Sequence, residues 1–122
     1  MNSEKFKAIY AEPRNGSNFF VRHWANRKFQ FSDGVQDCAN CGIAWFLDIC
    51  ATELPKLIPI GDMGIVRIHA KGGVANLTLE LHDDEPPVWQ RKGVNTDCPD
   101  GDWSFWITNE GERFAMVLPE EY

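Results

Sequence analysis

Two cysteines, spaced as Cys38-Ala-Asn-Cys41, form the pattern in this 122-residue chain that is most typical of site chemistry. A C-x-x-C pair serves as a redox dithiol or supplies two of the four ligands of a zinc site. A redox pair uses the positive end of a helix, and Cys38 lies beyond the first turn of the predicted helix. Cys50, three turns further on, is out of reach as a zinc ligand. We therefore predict Cys38 and Cys41 as small residues of the core or its boundary, with no metal and no cofactor.

The histidines offer a second kind of chemistry. His82 precedes Asp83, an order that fits a general base beside an orienting carboxylate. Cys98 could pair with a histidine as an activated nucleophile. No H-x-H or H-E-x-x-H spacing occurs in the sequence. We predict that all three histidines lie on strands and that His82 is a solvent-facing residue at a strand end.

The third group is acidic. Asp83, Asp84 and Glu85 are consecutive, and more aspartates follow in segment 97–102. Carboxylates in adjacent loops bind divalent cations, but the spacing of a calcium-binding loop is absent here. The same charges can present an acidic surface to a basic partner. A metal-dependent or thiol enzyme that uses Cys38, Cys41 and these carboxylates stays open as the alternative.

Three of the five tryptophans lie in predicted strands with polar neighbours. Phe105 and Ile107 alternate with Trp106, so Trp106 points to the opposite face of its strand. With helical cover on one sheet face, the other face is expected to expose these rings as a binding surface or dimer interface. The candidate interface comprises Trp24, Trp89, Trp106, Asp83, Asp84 and Glu85.

The segment from Ser32 to Thr52 has a clean helical period and is expected to position these residues. Its apolar side chains fall within an arc of roughly 160° when plotted at 3.6 residues per turn. Ser32 or Asp33 supplies the N-terminal cap and Pro55 ends the helix. We predict one main helix over residues 33–54.

The rest of the chain predicts strands. Residues 19–25 and 29–31 form one hairpin, and residues 65–118 contain further hairpins, one around Gly72-Gly73. Residues 1–18 are a charged lead-in. The predicted fold is α+β, a single domain over residues 1–122 with one long amphipathic helix on an antiparallel sheet of about five to six strands.

Charge and hydropathy exclude several functions. The net charge of −6 argues against direct nucleic-acid binding and against docking on an anionic membrane. No apolar signal segment or membrane span is present in the sequence, so we expect a cytoplasmic protein.

Four short stretches together resemble a known family: FQFSDG at 29–34, AWFLDI at 44–49, NTDCP at 95–99 and LPEEY at 118–122. They resemble the DUF6876-like family of small uncharacterised bacterial, phage and plasmid proteins over roughly residues 19–122. In that family an aromatic–Thr/Ser–Asp–Gly step precedes a Trp-Leu-Leu-Asp-type helix, followed by Thr-Asp and a late Glu-Tyr. The resemblance implies no catalytic residues and a setting in mobile elements.

The sequence thus predicts a small, acidic, non-enzymatic protein that binds another protein. The expected partner is a basic host protein that itself binds nucleic acid, and the expected effect is inhibition of a nucleic-acid-directed defence complex. A structural homo-oligomer is a further alternative, and a homodimer is compatible with the sequence.

Overall fold

One mixed sheet and the helices on one of its faces make up the fold. The computed structural model describes residues 3–12, 20–82 and 84–121. The helices are α1 (Ser3–Ala11), α2 (Asp33–Cys38) and α3 (Ala44–Glu53), and the strands are β1 (Phe20–Arg22), β2 (Phe29–Ser32), β3 (Met63–Lys71), β4 (Val74–Glu80), β5 (Trp89–Asn95), β6 (Gly101–Asn109) and β7 (Phe114–Val117).

The sheet has seven strands in the order β1-β2-β7-β6-β3-β4-β5. The predicted α+β class is confirmed, but the predicted sheet of five to six antiparallel strands is wrong. Strand β7 lies between β6 and β2 and runs parallel to β2, with Phe29 opposite Phe114 and Phe31 opposite Met116. The other strand pairs are antiparallel. Strands β2 and β7 are far apart in the sequence. Their parallel pairing therefore could not be predicted from a turn between them.

The predicted single helix over 33–54 is wrong in its continuity. It begins as predicted, because the Ser32 hydroxyl accepts a hydrogen bond from the Val35 amide at 3.1 Å. A π-helical turn, Ala39–Ile43, then separates α2 from α3, and inside it Gly42 has φ 124° and ψ 9°. Glycine has no Cβ and reaches this conformation at low cost. The turn therefore changes the direction of the chain while both helices stay packed on the sheet.

The charged lead-in contributes to the core through α1. Phe6 is fully buried and meets Trp103 edge to face, with ring centroids 5.1 Å apart. The Tyr10 hydroxyl donates to the Ser104 carbonyl at 3.3 Å and accepts from the Ser104 amide at 2.9 Å. Burial raises the pKa of Tyr10. Residues 13–18 of the predicted lead-in lie outside the described residues.

Alternation along the strands gives the sheet two unlike faces. Val66 and Ile68 of β3 are fully buried on the face that the helices cover, called the helix face. Their neighbours Ile65, Arg67 and His69 point the other way and are half-buried. Among the described residues, no helix is long and apolar enough to cross a membrane.

Candidate functional site

The face of the sheet that α1, α2 and α3 leave uncovered is called the open face. Three neighbouring strands, β3, β4 and β6, contribute nine of its half-buried side chains. They are Met63, Ile65, Arg67 and His69 from β3, Thr78 and Glu80 from β4, and Ser104, Trp106 and Thr108 from β6.

An apolar row crosses the open face. Ile65 lies opposite Trp106 in the β3–β6 register, and Trp106 lies opposite Val117 in the β6–β7 register. Cross-strand partners stand side by side on one face, about 5 Å apart at Cβ. Each of the three is half-buried. The row is therefore apolar surface at the centre of the sheet, with an aromatic ring in its middle.

A polar network adjoins this row. Arg67 forms an ion pair with Glu80, and its Nε donates to the Ser104 hydroxyl at 3.2 Å. The side chains of Arg67 and Glu80 are 33% and 22% exposed, so water screens the pair only in part. The network holds the Glu80 carboxylate in place at one end of the apolar row.

His69 of β3 links the same two neighbouring strands, β4 and β6. Its Nδ1 lies 2.7 Å from Asp102 Oδ1 and its Nε2 lies 3.2 Å from Thr78 Oγ1. The order hydroxyl, imidazole, carboxylate is that of a nucleophile with its base and orienting acid. Acyl transfer also needs donors aimed at the developing oxyanion. Arg67, the neighbouring donor, directs its Nε to Ser104 and a terminal nitrogen to Glu80. The contacts of His69 hold its ring between β4 and β6.

A groove of about 510 Å³ opens at the end of the open face where β4 leaves the sheet. Its walls combine apolar and acidic side chains. Asp84 and Glu85, the two predicted interface carboxylates that the structure describes, lie on its rim. This acidic groove is lined by Met63, Ile65, Glu80, Leu81, His82, Asp84 and Glu85. Asp83, also predicted for the interface, lies outside the described residues. Sequence reasoning missed Glu80, although its place on the solvent face of β4 could have marked it.

The three predicted tryptophans do not form one patch. Trp106 lies on the open face, whereas Trp89 of edge strand β5 pairs with the core residue Leu79 and faces the helices. Trp24 follows the opposite edge strand β1 and is 79% exposed. Six strand spacings of about 4.8 Å separate the two edges by roughly 29 Å. Alternation within each strand could not reveal this, because it does not specify the order of strands. The part of each tryptophan in binding stays a prediction.

The cysteines are reduced and buried, as predicted for Cys38 and Cys41. Burial raises the pKa of the Cys98 thiol to about 11 and that of Cys50 well above its usual value. A nucleophilic thiol needs the opposite shift. Within the described ranges, no three histidine, cysteine, aspartate or glutamate side chains are grouped closely enough to hold a metal ion.

His23, predicted to lie on a strand, follows directly after β1 and is buried beside α3. Its Nδ1 accepts hydrogen bonds from the amides of Ala25 and Asn26, at 3.1 and 3.3 Å. Because Nδ1 accepts, Nε2 is the ring nitrogen that donates to Asp48 Oδ1, at 2.8 Å. The same carboxylate oxygen accepts from the Trp24 indole at 3.1 Å. Asp48 thus fixes the loop that follows β1.

A model for a family of unknown function, DUF6876, matches residues 12–122. The chain belongs to this family. No curated protein matches the chain. A crystal structure of a protein of unknown function from Enterococcus faecalis is similar to it with 17% identity and a TM-score of 0.52, over 85% of this chain and 98% of that chain. At this identity the likeness concerns the fold alone.

Two ends of the DUF6876 pattern meet in the structure. The Ser32 hydroxyl donates to Glu121 Oε1 at 2.5 Å, and the Leu118 amide donates to the same oxygen at 2.9 Å. Glu121 is only 6% exposed. A Cβ atom on Gly34 would lie 2.8 Å from Glu121 Oε2. The Ser-Asp-Gly step and Glu121 therefore form one buried contact that ties residues 118–121 to the start of α2.

Other residues of the DUF6876 pattern also have structural contacts. Asp48, from the tryptophan-containing helix, holds His23 and Trp24. Thr96 Oγ1 accepts a hydrogen bond from the Cys98 amide at 3.0 Å and so closes the turn before β6. Each of these residues thus makes a contact within the fold, and none of them lies on the open face.

Proposed function

We propose that this domain acts by binding another protein through the open face, with a basic segment of the partner in the acidic groove. The observation that carries the proposal is the position of that groove. It lies at the end of a half-buried apolar row that contains Trp106, and Ile65 belongs to both. Binding sites commonly combine an aromatic anchor with a polar rim.

The groove fits a lysine or arginine side chain. Met63, Ile65 and Leu81 offer apolar surface for the methylene stem of such a side chain. The carboxylates of Asp84 and Glu85 are exposed at the rim, where they can pair with its cationic head. Glu80 already pairs with Arg67, so the two rim carboxylates supply the net negative charge.

The overall charge supports the same kind of partner. A net charge of −6 attracts basic proteins over long range and accelerates their association at low salt. Proteins that bind nucleic acid expose a basic surface that contacts the phosphates. An acidic domain can compete with the nucleic acid for that surface. Inhibition of a host nucleic-acid-directed defence complex, by a protein of phage or mobile-element origin, is the role that we propose on this basis.

The test compares two double variants of equal charge. Asp84→Lys with Glu85→Lys alters the groove, and Glu4→Lys with Asp37→Lys alters exposed positions on α1 and α2. Replacing one carboxylate by lysine changes the net charge by +2. Each double variant contains two such replacements and therefore has a net charge of −2 instead of −6. Immobilised wild type is expected to capture a stoichiometric basic protein from host lysate, with retention that falls as salt rises.

The groove variant should lose at least about tenfold in retention, whereas the α1–α2 variant should lose only the small share due to long-range attraction. Equal losses in both variants would show that charge alone, not the groove, recruits the partner. Failure of the wild type to capture any stoichiometric protein would overturn the proposal as a whole.

A further inference from the structure

The edge of the sheet at β1 exposes apolar surface. Val21 is 39% exposed and Trp24 is 79% exposed, two of the few large apolar side chains in the described ranges that are this open to solvent. The hydrogen bond from the Trp24 indole nitrogen to Asp48 Oδ1 holds the exposed ring in one orientation. Beside them lies a groove of about 320 Å³ between β1 and the helices. Its floor includes Phe31, Ala39 and Leu47.

In the part of the chain that the structure describes, no strand pairs with the outer edge of β1. The His23 amide bonds to the Phe29 carbonyl at 2.8 Å, so residues 23 and 29 form a hydrogen-bonded pair. In an antiparallel ladder such pairs alternate, which makes Val21 with Phe31 the next one. The amides and carbonyls of Phe20 and Arg22 therefore point away from β2. They are the groups that a further strand would bind.

The other edge of the sheet is protected in a way that β1 is not. Strand β5 carries Arg91 and Lys92, and Gly93 within it has φ 72°. The β4–β5 register shifts between Ala75 and Leu77. A bulge on an edge strand discourages pairing with another chain, and the β1–β2 register, unlike that of β4–β5, has no shift. If the sheet is extended, it is extended at β1.

We propose that two copies of this chain associate through antiparallel pairing of their β1 strands. A two-fold axis beside Val21 sets Phe20 of each copy opposite Arg22 of the other. Both residues turn their amide and carbonyl outward, so this register forms four backbone hydrogen bonds without any change within β1. The edge is thus complementary to itself, which an isologous interface requires.

The side chains agree with this register. Val21 lies on the helix face, since its partner across the β1–β2 ladder is the buried Phe31, and the two Val21 side chains meet at the axis. On the other face, each Phe20 ring lies opposite the Arg22 guanidinium of the second copy, a favourable pairing of cation and aromatic ring. Phe20 already contacts one cation, since Arg113 lies 4.6 Å from its ring centroid.

The dimer would join two seven-stranded sheets into one. Because the axis is perpendicular to the sheet, both open faces lie on the same side, and a bivalent partner could contact both. The proposal does not depend on the function of the open face. Each copy carries a charge of −6, so repulsion between copies weakens association, and added salt should strengthen it.

Sedimentation velocity tests the proposal on the full chain, at about 10 to about 500 µM protein and at about 20 and about 300 mM salt. We expect a monomer–dimer equilibrium whose dissociation constant is lower at the higher salt by about threefold or more. Arg22→Pro removes an outward amide that β2 does not use. Two hydrogen bonds are lost per dimer, so affinity should fall about 30-fold. Arg22→Ala is the matched control and should retain most of the dimer.

Val21→Lys blocks the dimer by a second route, since it places like charges together at the axis, and Val21→Thr is its control. Circular dichroism and thermal unfolding check that each variant is folded. A wild-type protein that remains monomeric at all concentrations and at both salt levels overturns the proposal. In that case the β1 edge would be a site for pairing with an extended segment of another protein. A dimer that persists in both folded Arg22→Pro and Val21→Lys overturns it as well.

Discussion

Replacement of Gly34 by alanine should be unusually destabilising for a change of one methyl group. Gly34 lies in α2 and does not have a positive φ, so its backbone makes no demand for glycine. The steric demand comes from Glu121, because a Cβ atom on Gly34 would lie 2.8 Å from Oε2, 2.9 Å from Cδ and 3.0 Å from Oε1. Separations of this kind require the carboxylate to move.

Movement of the carboxylate breaks the contacts that hold it. Glu121 Oε1 accepts from the Ser32 hydroxyl at 2.5 Å and from the Leu118 amide at 2.9 Å. Hydrogen bonds to a charged group contribute about 1.5 to 3 kcal/mol each, and the better helix propensity of alanine returns about 1 kcal/mol. Allowing for partial relaxation, we expect Gly34→Ala to lower the free energy of unfolding by about 3 kcal/mol and Tm by about 10 °C.

Denaturant unfolding of a double-mutant cycle with Glu121→Ala measures the effect. Once the carboxylate is absent, Gly34→Ala should be neutral or stabilising by up to about 1 kcal/mol. Gly72→Ala is the control. Gly72 has φ 61°, and a Cβ atom added there would meet open space, so the cost of this substitution should be the same in both backgrounds. An equal cost of Gly34→Ala in both backgrounds would refute the steric explanation.

Three further predictions concern the helix break, the β1 loop and the buried thiols. Gly42→Ala should lower the free energy of unfolding by about 2 kcal/mol in denaturant titrations, because alanine is strained at φ 124°. Asp48→Ala should cost about 2 kcal/mol and increase proteolysis of the β1–β2 loop, because His23 and Trp24 both lose their acceptor; Asp48→Asn, which keeps an acceptor oxygen, should cost less. For Cys98, the folded pKa of about 11 exceeds the ordinary thiol pKa of 9.0, so the contribution of this thiol to stability is complete below about pH 9 and declines as pH rises toward 11. Reaction of the native protein with a thiol reagent at pH 8 should accordingly be far slower than that of the unfolded chain, and equal rates would contradict this.

The amino-acid sequence by itself determined the local features of this fold. Ser32 caps α2 as predicted, and α3 ends at Glu53, shortly before Pro55. The turn at residues 72–73 joins β3 to β4 in antiparallel register. Such features depend on a few neighbouring residues and on the period of apolar side chains, which decides the face to which each one points. The same period correctly indicated that Cys38 is buried and that Trp106 faces away from the helices.

Only the tertiary structure decided which elements are neighbours. It placed β7 beside β2, Trp24 and Trp89 at opposite edges, and Glu121 over Gly34. An alternating pattern is equally compatible with several strand orders, and contacts between distant segments depend on the packing of the whole core. For the same reason the acidic groove could be anticipated only in part. Asp84 and Glu85 were visible in the sequence, but their position beside the apolar row follows from the order of β4, β3 and β6.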